Sequence, residues 1–310
     1  MQNQIRPVTK RCLFSIFLFI SCILIAQSSK GQSTSRRSLT DLQKQLAQLA
    51  QPAQGRVGVA ATILETGESV SLHGDEQFPM QSVYKFPIGM AVLHQVDQGK
   101  LTLNQKIHIT KLDYVSHRQH SPIRDNHPDG TEMSLSEVLR YAVSESDGSA
   151  SDVLLRLLGG GAVVSQYLQR LGVSGIKVID TEKEIGRDNA IQYRNWAQPT
   201  QMVTLLKALQ EGRDLSKTSQ TLLMRLMKET PTGLRRLKGQ LPTQTVVMHK
   251  TGTSWTIDGV TAATNDVGLI RLPHGEHLAV AVFVSDSKAD EATRESVIAN
   301  ITKAIWDYWH

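Results

Sequence analysis

Cysteine is nearly absent from this chain of 310 residues: Cys12 and Cys22 are the only two, and both lie in one apolar run near the N-terminus. Once that run is removed, no thiol remains, which excludes disulfides and thiol chemistry. A protein without disulfides must be stable through its core, and the length permits one. No Lys/Arg run interleaved with aromatics is present, so the electrostatic footprint of nucleic-acid binding is missing. The formal charge of +5 does not restore it. Residues 1 to 28 carry Arg6, Lys10 and Arg11 and no acid, and without them 31 basic residues face 29 acidic ones, a formal +2. Internal repeats and low-complexity tracts are lacking too.

The apolar run, Cys12 to Ala26, follows those three basic residues and precedes small and polar residues Gln27 to Gly31, which is the make-up of a secretory signal peptide over 1–28. Ala26-Gln27-Ser28 offers a small-x-small cleavage site. The run is shorter than the roughly 20 residues of a membrane span, which disfavours an uncleaved anchor. A lipoprotein reading through Cys22 is weakened because the apolar run continues past it. The expected location is therefore periplasmic or secreted, with no stable membrane association after cleavage.

Ser38 is placed to cap a helix carrying Leu39, Leu42, Leu46 and Leu49 at helical spacing. Gly55 to Ile63 reads as a strand, with Thr66-Gly67 as a turn and Val70 to Leu72 as the return. Helices follow through Met90 to Val96, from Ser134 or Ser136 through Ala142, over Asp152 to Leu158, Val164 to Leu171, Gln201 to Glu211 and Ser219 to Lys228. Residues 101 to 134 read as polar loop, and 179–196 as a charged loop of the length associated with function. Strands return at Thr245 to Met248, Ala262 to Leu272 and Leu278 to Val284, before a last helix near Asp290 to Trp309. Strands, then helices, then strands imply an α+β fold. Its antiparallel sheet of about five strands is flanked by N- and C-terminal helices, with an all-helical domain inserted. The expected division is 33–83 with 230–310 as the α/β domain and 84–229 as the helical domain, which carries the loop 179–196.

Ser82 and Lys85 lie three apart at the start of the apolar helix, so the ammonium can reach the hydroxyl and the serine can be activated as a nucleophile. Spacing alone decides nothing, because Ser174/Lys177 and Ser285/Lys288 repeat it. Lys250-Thr251-Gly252-Thr253 follows a strand, where a lysine and hydroxyls suit an anionic group and Gly252 admits a second backbone. Taken alone it is an ordinary strand-end turn. Ser146-Asp147-Gly148 alone reads as a helix cap. His117, His120, Asp125 and His127 lie close in sequence, but they match no helical metal-binding pattern and no cysteine assists. We read them as a polar loop and expect no metal and no cofactor.

Together and in this order, Ser82-x-x-Lys85, Ser146-Asp147-Gly148 and Lys250-Thr251-Gly252 resemble the three-motif signature of serine β-lactamases and penicillin-binding proteins. Thr181-Glu182-Lys183-Glu184-Ile185-Gly186 resembles the Ω-loop motif found only in class A. Leu93 to Lys100, Gln192 to Trp196 and Ala262 to Asp266 look most like the PER-type extended-spectrum branch. The resemblance runs from about residue 38 to the C-terminus.

It implies that Ser82 opens a small-molecule β-lactam to an acyl-enzyme, with the N–H groups of Ser82 and Thr253 as the oxyanion hole. Lys85 then hydrogen-bonds the nucleophile, and Ser146 passes a proton to the leaving nitrogen. Lys250, Thr251, Thr253 and Arg236 hold the substrate carboxylate, and Glu182 deprotonates the hydrolytic water. Either Lys85 or Glu182 serves as the acylation base. Glu184 is a second candidate for the loop carboxylate, but Glu182 fits the spacing better. The family is generally monomeric.

Two asparagines of the family are replaced here, one by Gly148, which removes a substrate contact, and one by Gly186, four residues after Glu182. His120 takes the place of an aromatic at the cleft mouth. The competing functions are a D-alanyl-D-alanine peptidase, which lacks such a glutamate, and a non-hydrolysing penicillin sensor, which is normally tethered to a membrane signalling domain.

Overall fold

The computed structural model of the protein describes residues 38–310. The expected leader 1–28, with Cys12 and Cys22, lies outside the described residues. Five strands form the main sheet: β1 Arg56–Ile63, β2 Ser69–Leu72, β3 Val247–Thr253, β4 Val260–Arg271 and β5 His277–Ser287. Their spatial order is β2-β1-β5-β4-β3, with every neighbouring pair antiparallel, and the short strand Thr256–Ile257 also pairs with β4. Two strands come from before the helices and three from after them, as the sequence pattern implies.

Alternation along the strands sorts side chains onto two buried faces. In β5, Leu278, Val280, Val282 and Val284 join Leu42 and Leu46 of helix Leu39–Ala50 and Ile298, Ile301 and Ile305 of helix Glu291–Trp309. Ala279, Ala281 and Phe283 face the opposite way, into the core shared with the central helices. The terminal helices are fixed by their caps: Ser38 forms a capping box with Asp41, and the Asp290 carboxylate accepts from Thr293 N–H.

Helix Lys85–Asp97 runs through the middle of that second core, and every residue from Lys85 to His94 is buried. Its sequence is apolar all round, as a helix surrounded by protein requires. Pro87 is its third residue, where a missing N–H breaks no helical bond. The preceding turn, Gln81–Tyr84, is a 3-10 helix, so the helical path starts beside Ser82 as expected.

Two expectations need correction. Residues 101 to 134 are not all loop: Lys106–Ile109 pairs with Thr131–Ser134, and Pro122–Asn126 is helical. Four-residue strands are too short to show a period, although Ile107, Ile109 and Met133 are buried. The helix expected from Asp152 begins at Gly148, because the Asp147 carboxylate caps it by accepting from Ala150 N–H at 2.8 Å. Elsewhere the charged loop 179–196 is closed at its neck by Asn195, whose Oδ1 accepts from Ile179 and Asp180 N–H and whose Nδ2 donates to the Asp180 carbonyl. Among the described residues no helix is long and apolar enough to cross a membrane.

Phe283 is fully buried and stacks on Phe78 with centroids 5.9 Å apart, joining the main sheet to the short strand Phe78–Pro79 that leads toward Ser82. Phe283→Ala is expected to lower the unfolding free energy by about 3–5 kcal/mol. A loss below about 1 kcal/mol in urea titration would contradict this packing.

Candidate active site

Ser82 is the second residue of the turn Gln81–Tyr84, and the chain just before it is held from several sides. Met80 N–H donates to the Asn195 carbonyl at 2.9 Å. Asn265 Nδ2, from β4, donates to the Pro79 and Met80 carbonyls at 2.8 and 3.1 Å. Across from them lies Gly252, where any Cβ would overlap the Met80 carbonyl oxygen, so only glycine lets β3 approach this closely. Gln81 adopts a left-handed φ of 46°, and its side chain bonds to Gln192 Oε1 at 2.5 Å, tying the turn to the charged loop.

Lys85 is 1 % exposed, and its Nζ meets three oxygens: Ser82 Oγ at 2.7 Å, the Ser146 carbonyl at 2.9 Å and Glu182 Oε1 at 2.7 Å. All three donors of the ammonium are thereby used. Ser146, at φ 60°, is held in the left-handed region that side chains disfavour, as functional residues often are. While its carbonyl receives Lys85, its Oγ accepts from Lys250 Nζ at 2.9 Å. One serine thus bridges two lysines. Lys250 is fully buried, and its pKa is pushed well below the usual lysine range, first by desolvation and then by the charge of Lys85.

Alternation explains how Lys250 gets there. Val247 packs in the core of the terminal helices, whereas Met248 packs against the other, so Lys250 and Gly252 point with Met248 toward Ser82. Contrary to the reading of a strand-end turn, Lys250 to Thr253 are the last residues of β3 itself, paired with β4 from Lys250↔Val267 to Thr253↔Thr264. On the opposite side of β3, Thr251 Oγ1 contacts Thr232 Oγ1 at 2.6 Å, and Arg236 donates to Thr253 Oγ1 at 2.8 Å. Arg236 is anchored by Glu295 and by the Gly252 and Asn265 carbonyls.

A cleft of about 370 Å³ opens over these groups, lined among others by Ser82, Lys85, Ser146, Glu182, Thr251, Thr253, Arg236 and His120. Lys250 lies below it, joined through Ser146, and Gly148 lies behind it, with its N–H donating to the His120 carbonyl at 2.9 Å. The His120 ring sits at the rim against the Glu145 carbonyl. Asp125 pairs with its neighbour Arg124. Among the described residues no group of three or more His, Cys, Asp or Glu side chains is gathered to hold a metal ion.

Asp152, Asn265, Gln192 and Gln119 belong to this site although the sequence assigns none of them a role there, Gln192 and Asn265 standing out only as parts of family-like stretches. Asp152, one turn into helix Gly148–Leu158, accepts from the N–H groups of Glu182 at 2.7 Å and Lys183 at 3.1 Å. It fixes the short helix Glu182–Ile185 from below. Its pKa is raised to about 7, first by burial and then by the neighbouring charge of Glu182. The same burial, with Glu182 and Asp152 nearby, lifts the Tyr84 phenol well above its usual range and keeps it protonated.

Comparison with known proteins gives one family throughout. The Beta-lactamase enzyme family matches residues 41–309. The chain is 42% identical to Beta-lactamase VEB-1 of Pseudomonas aeruginosa over 256 residues, covering 82% of this chain and 85% of that one. It is 38% identical to Extended-spectrum beta-lactamase PER-1 of Pseudomonas aeruginosa over 288 residues, 93% of each. A crystal structure of a β-lactamase from Chitinophaga pinensis superposes with a TM-score of 0.85 at 48% identity, over 87% of this chain and 100% of that one.

A carboxyl whose folded pKa is raised keeps a proton that the unfolded chain has already released. Its stabilising contribution is therefore present below about pH 4 and lost as the pH rises toward 7. Asp152→Asn cannot ionise and offers one acceptor for two N–H groups, at a cost of about 1–3 kcal/mol. The stability advantage of wild type over this variant is expected to narrow from pH 4 to pH 7 in urea unfolding. An advantage that widened with pH would contradict the assignment.

Proposed function

The chain belongs to the β-lactamase enzyme family, among the class A enzymes of the PER-type branch, and on that premise we propose how its residues divide the reaction. It is a hydrolase of β-lactams, and its activity confers antibiotic resistance. The observation that carries the residue assignment is the position of Lys85 Nζ, 2.7 Å from both Ser82 Oγ and Glu182 Oε1. Nucleophile and carboxylate share one proton-carrying atom.

Ser82 Oγ attacks the β-lactam carbonyl carbon and its proton leaves toward Lys85 and Glu182. The Lys85 ammonium has no lone pair, so it takes the serine proton only as it gives one of its own to the Glu182 carboxylate across the 2.7 Å contact, and by either route the proton ends on Glu182. Ser82 lies at the N-terminal end of a buried helix, whose positive end favours the developing oxygen charge. The N–H groups of Ser82 and Thr253 receive the oxyanion. Ser146 Oγ donates to the departing ring nitrogen and is reprotonated from Lys250, to which it is bonded at 2.9 Å. A lysine with a depressed pKa is suited to give up that proton. Thr251, Thr253 and Arg236 line the side of the cleft that receives the substrate carboxylate, with Lys250 beneath. The proton on Glu182 returns through Lys85 to make good the one that Lys250 gave. The freed carboxylate then takes a proton from water as the water oxygen bonds to the ester carbonyl, and that proton passes back through Lys85 to Ser82 Oγ as the ester C–O bond breaks.

Hydrolysis rather than stable acylation follows from Glu182, whose backbone is anchored on Asp152 and whose carboxylate reaches Lys85. This disfavours the peptidase and the penicillin-sensor readings, in both of which a β-lactam is held as a long-lived acyl-enzyme. A monomer without nucleic-acid partners, exported to the periplasm or secreted and free of the membrane once residues 1–28 are removed, completes the proposal. The leader and the small residual charge support it.

The purified protein is expected to hydrolyse a chromogenic cephalosporin through many turnovers, and a single stoichiometric burst would sink the reading. In Glu182→Ala, acylation is expected to persist while deacylation slows by about 10²- to 10⁴-fold, the range for loss of a general base. Intact-protein mass spectrometry would then show the acyl-enzyme accumulating. Unchanged turnover would mean that the wrong carboxylate has been chosen.

A further inference from the structure

Glu182 is gripped at its carboxylate by Lys85 and below by Asp152, and a third contact comes from across the cleft. Gln119 Nε2 donates to the Glu182 carbonyl, which also accepts from Gly186 N–H at 2.8 Å. The Gln119 amide lies where a side chain at position 186 would be: a Cβ built on Gly186 falls 2.6 Å from Gln119 Cδ and closer still to Oε1. Gly186 itself has an ordinary right-handed helical backbone, φ −71° and ψ −13°, which any residue adopts. Space for Gln119, and not backbone freedom, is what glycine supplies there.

Gln119 is held ready for this contact. Ser116 Oγ donates to its Oε1 at 3.1 Å, which turns Nε2 toward Glu182. Its carbonyl and that of Ser116 are fixed by the buried Arg124 guanidinium, at 3.1 and 2.5 Å, and its N–H closes a turn onto the Ser116 carbonyl at 2.9 Å. The neighbouring His120 carbonyl accepts from Gly148 N–H, and a Cβ on Gly148 would lie 3.2 Å from that oxygen and 3.4 Å from Glu182 Cγ. Gln119-His120 thus sits wedged against both glycines and the glutamate between them.

We propose that Gln119 is a positioning residue for Glu182, seated in the space that Gly186 leaves open, and that this amide tether holds the glutamate in place for deacylation. The inference rests on the hydrolytic reading above. During the reaction the Lys85 contacts change, because Ser82 Oγ becomes an ester oxygen, whereas the Gln119 tether acts on the backbone of Glu182 and does not depend on the stage reached. Its loss therefore falls on the deacylation step more than on acylation. Any side chain at position 186 must displace Gln119 and so acts as a Gln119 substitution without touching that residue.

The test uses Gln119→Ala, Gly186→Ala and the double variant of the purified protein, with acylation and deacylation measured separately by rapid quench and mass spectrometry. Each single variant is expected to slow deacylation by about 10- to 100-fold, the cost of a catalytic group displaced by around an ångström. Acylation is expected to change less, and the double variant to be no slower than the slower single, because both remove one contact. Hydrogen exchange at the Gly186 amide is expected to quicken in both singles. That readout is independent of turnover, so it separates failure of the tether from failure of the hydrolytic reading, which wild-type turnover decides. Unchanged deacylation in either single variant would overturn the proposal. So would additive losses in the double variant, or an effect confined to KM, which would make Gln119 a substrate contact instead.

Discussion

A buried ammonium group sets the terms for this structure. Lys85 is almost wholly removed from water, and a charge so placed costs several kcal/mol unless it is paired and hydrogen-bonded. Its three acceptors come from its own turn, from the bend before helix Gly148–Leu158 and from the charged loop. Those segments are far apart in the chain, and each is fixed by contacts of its own: Asn265 behind Met80, the Asp147 cap after Ser146, and Asp152 under Glu182. Losing any one of them would leave the ammonium with an unmet donor. The geometry of the cleft and the folding of three segments meet at this one nitrogen.

Much of the fold is legible in the sequence because its signals are local. Ser38 stands just before an apolar periodic run and caps its helix. Of the alternatives Ser134 and Ser136 it is Ser134 that caps the next, and Asp290, where the last helix is expected to start, proves to be its cap. The β-branched runs after residue 245 become strands apolar on both faces, because helices cover both sides of the sheet. The two other serine-lysine pairs also resolve. Ser174 is exposed and bonded through its backbone to Gln201, and Ser285 is a buried strand residue whose Oγ donates to the Ala262 carbonyl. Neither pair leads into an apolar helix.

The supporting residues were not legible, for a physical reason. Asp152, Gln119 and Asn265 act on partners 30, 63 and 185 positions away, and each acts on a backbone group. A side chain that serves another segment's N–H or C=O leaves no spacing rule, since every residue presents the same backbone groups. The motif residues are recognisable because their types and order follow a family signature. Their supports are set only by the path of the chain. Gly186 illustrates the difference: in sequence it is a missing side chain, and in the structure the amide of Gln119 fills the place.

The final strand of the sheet order, β3, carries Lys250 to Thr253 and has β4 on one side only. An unpaired strand edge offers its N–H and C=O groups to any extended chain, and proteins commonly blunt such edges with charge, proline or a bulge. This edge cannot be blunted without closing the cleft. Its protection is geometric: Gln119 and His120 stand on one wall, while Ile185, Asn189 and Gln192 of the charged loop stand on another. The cleft and the open edge of the sheet are thus bordered by the same segments.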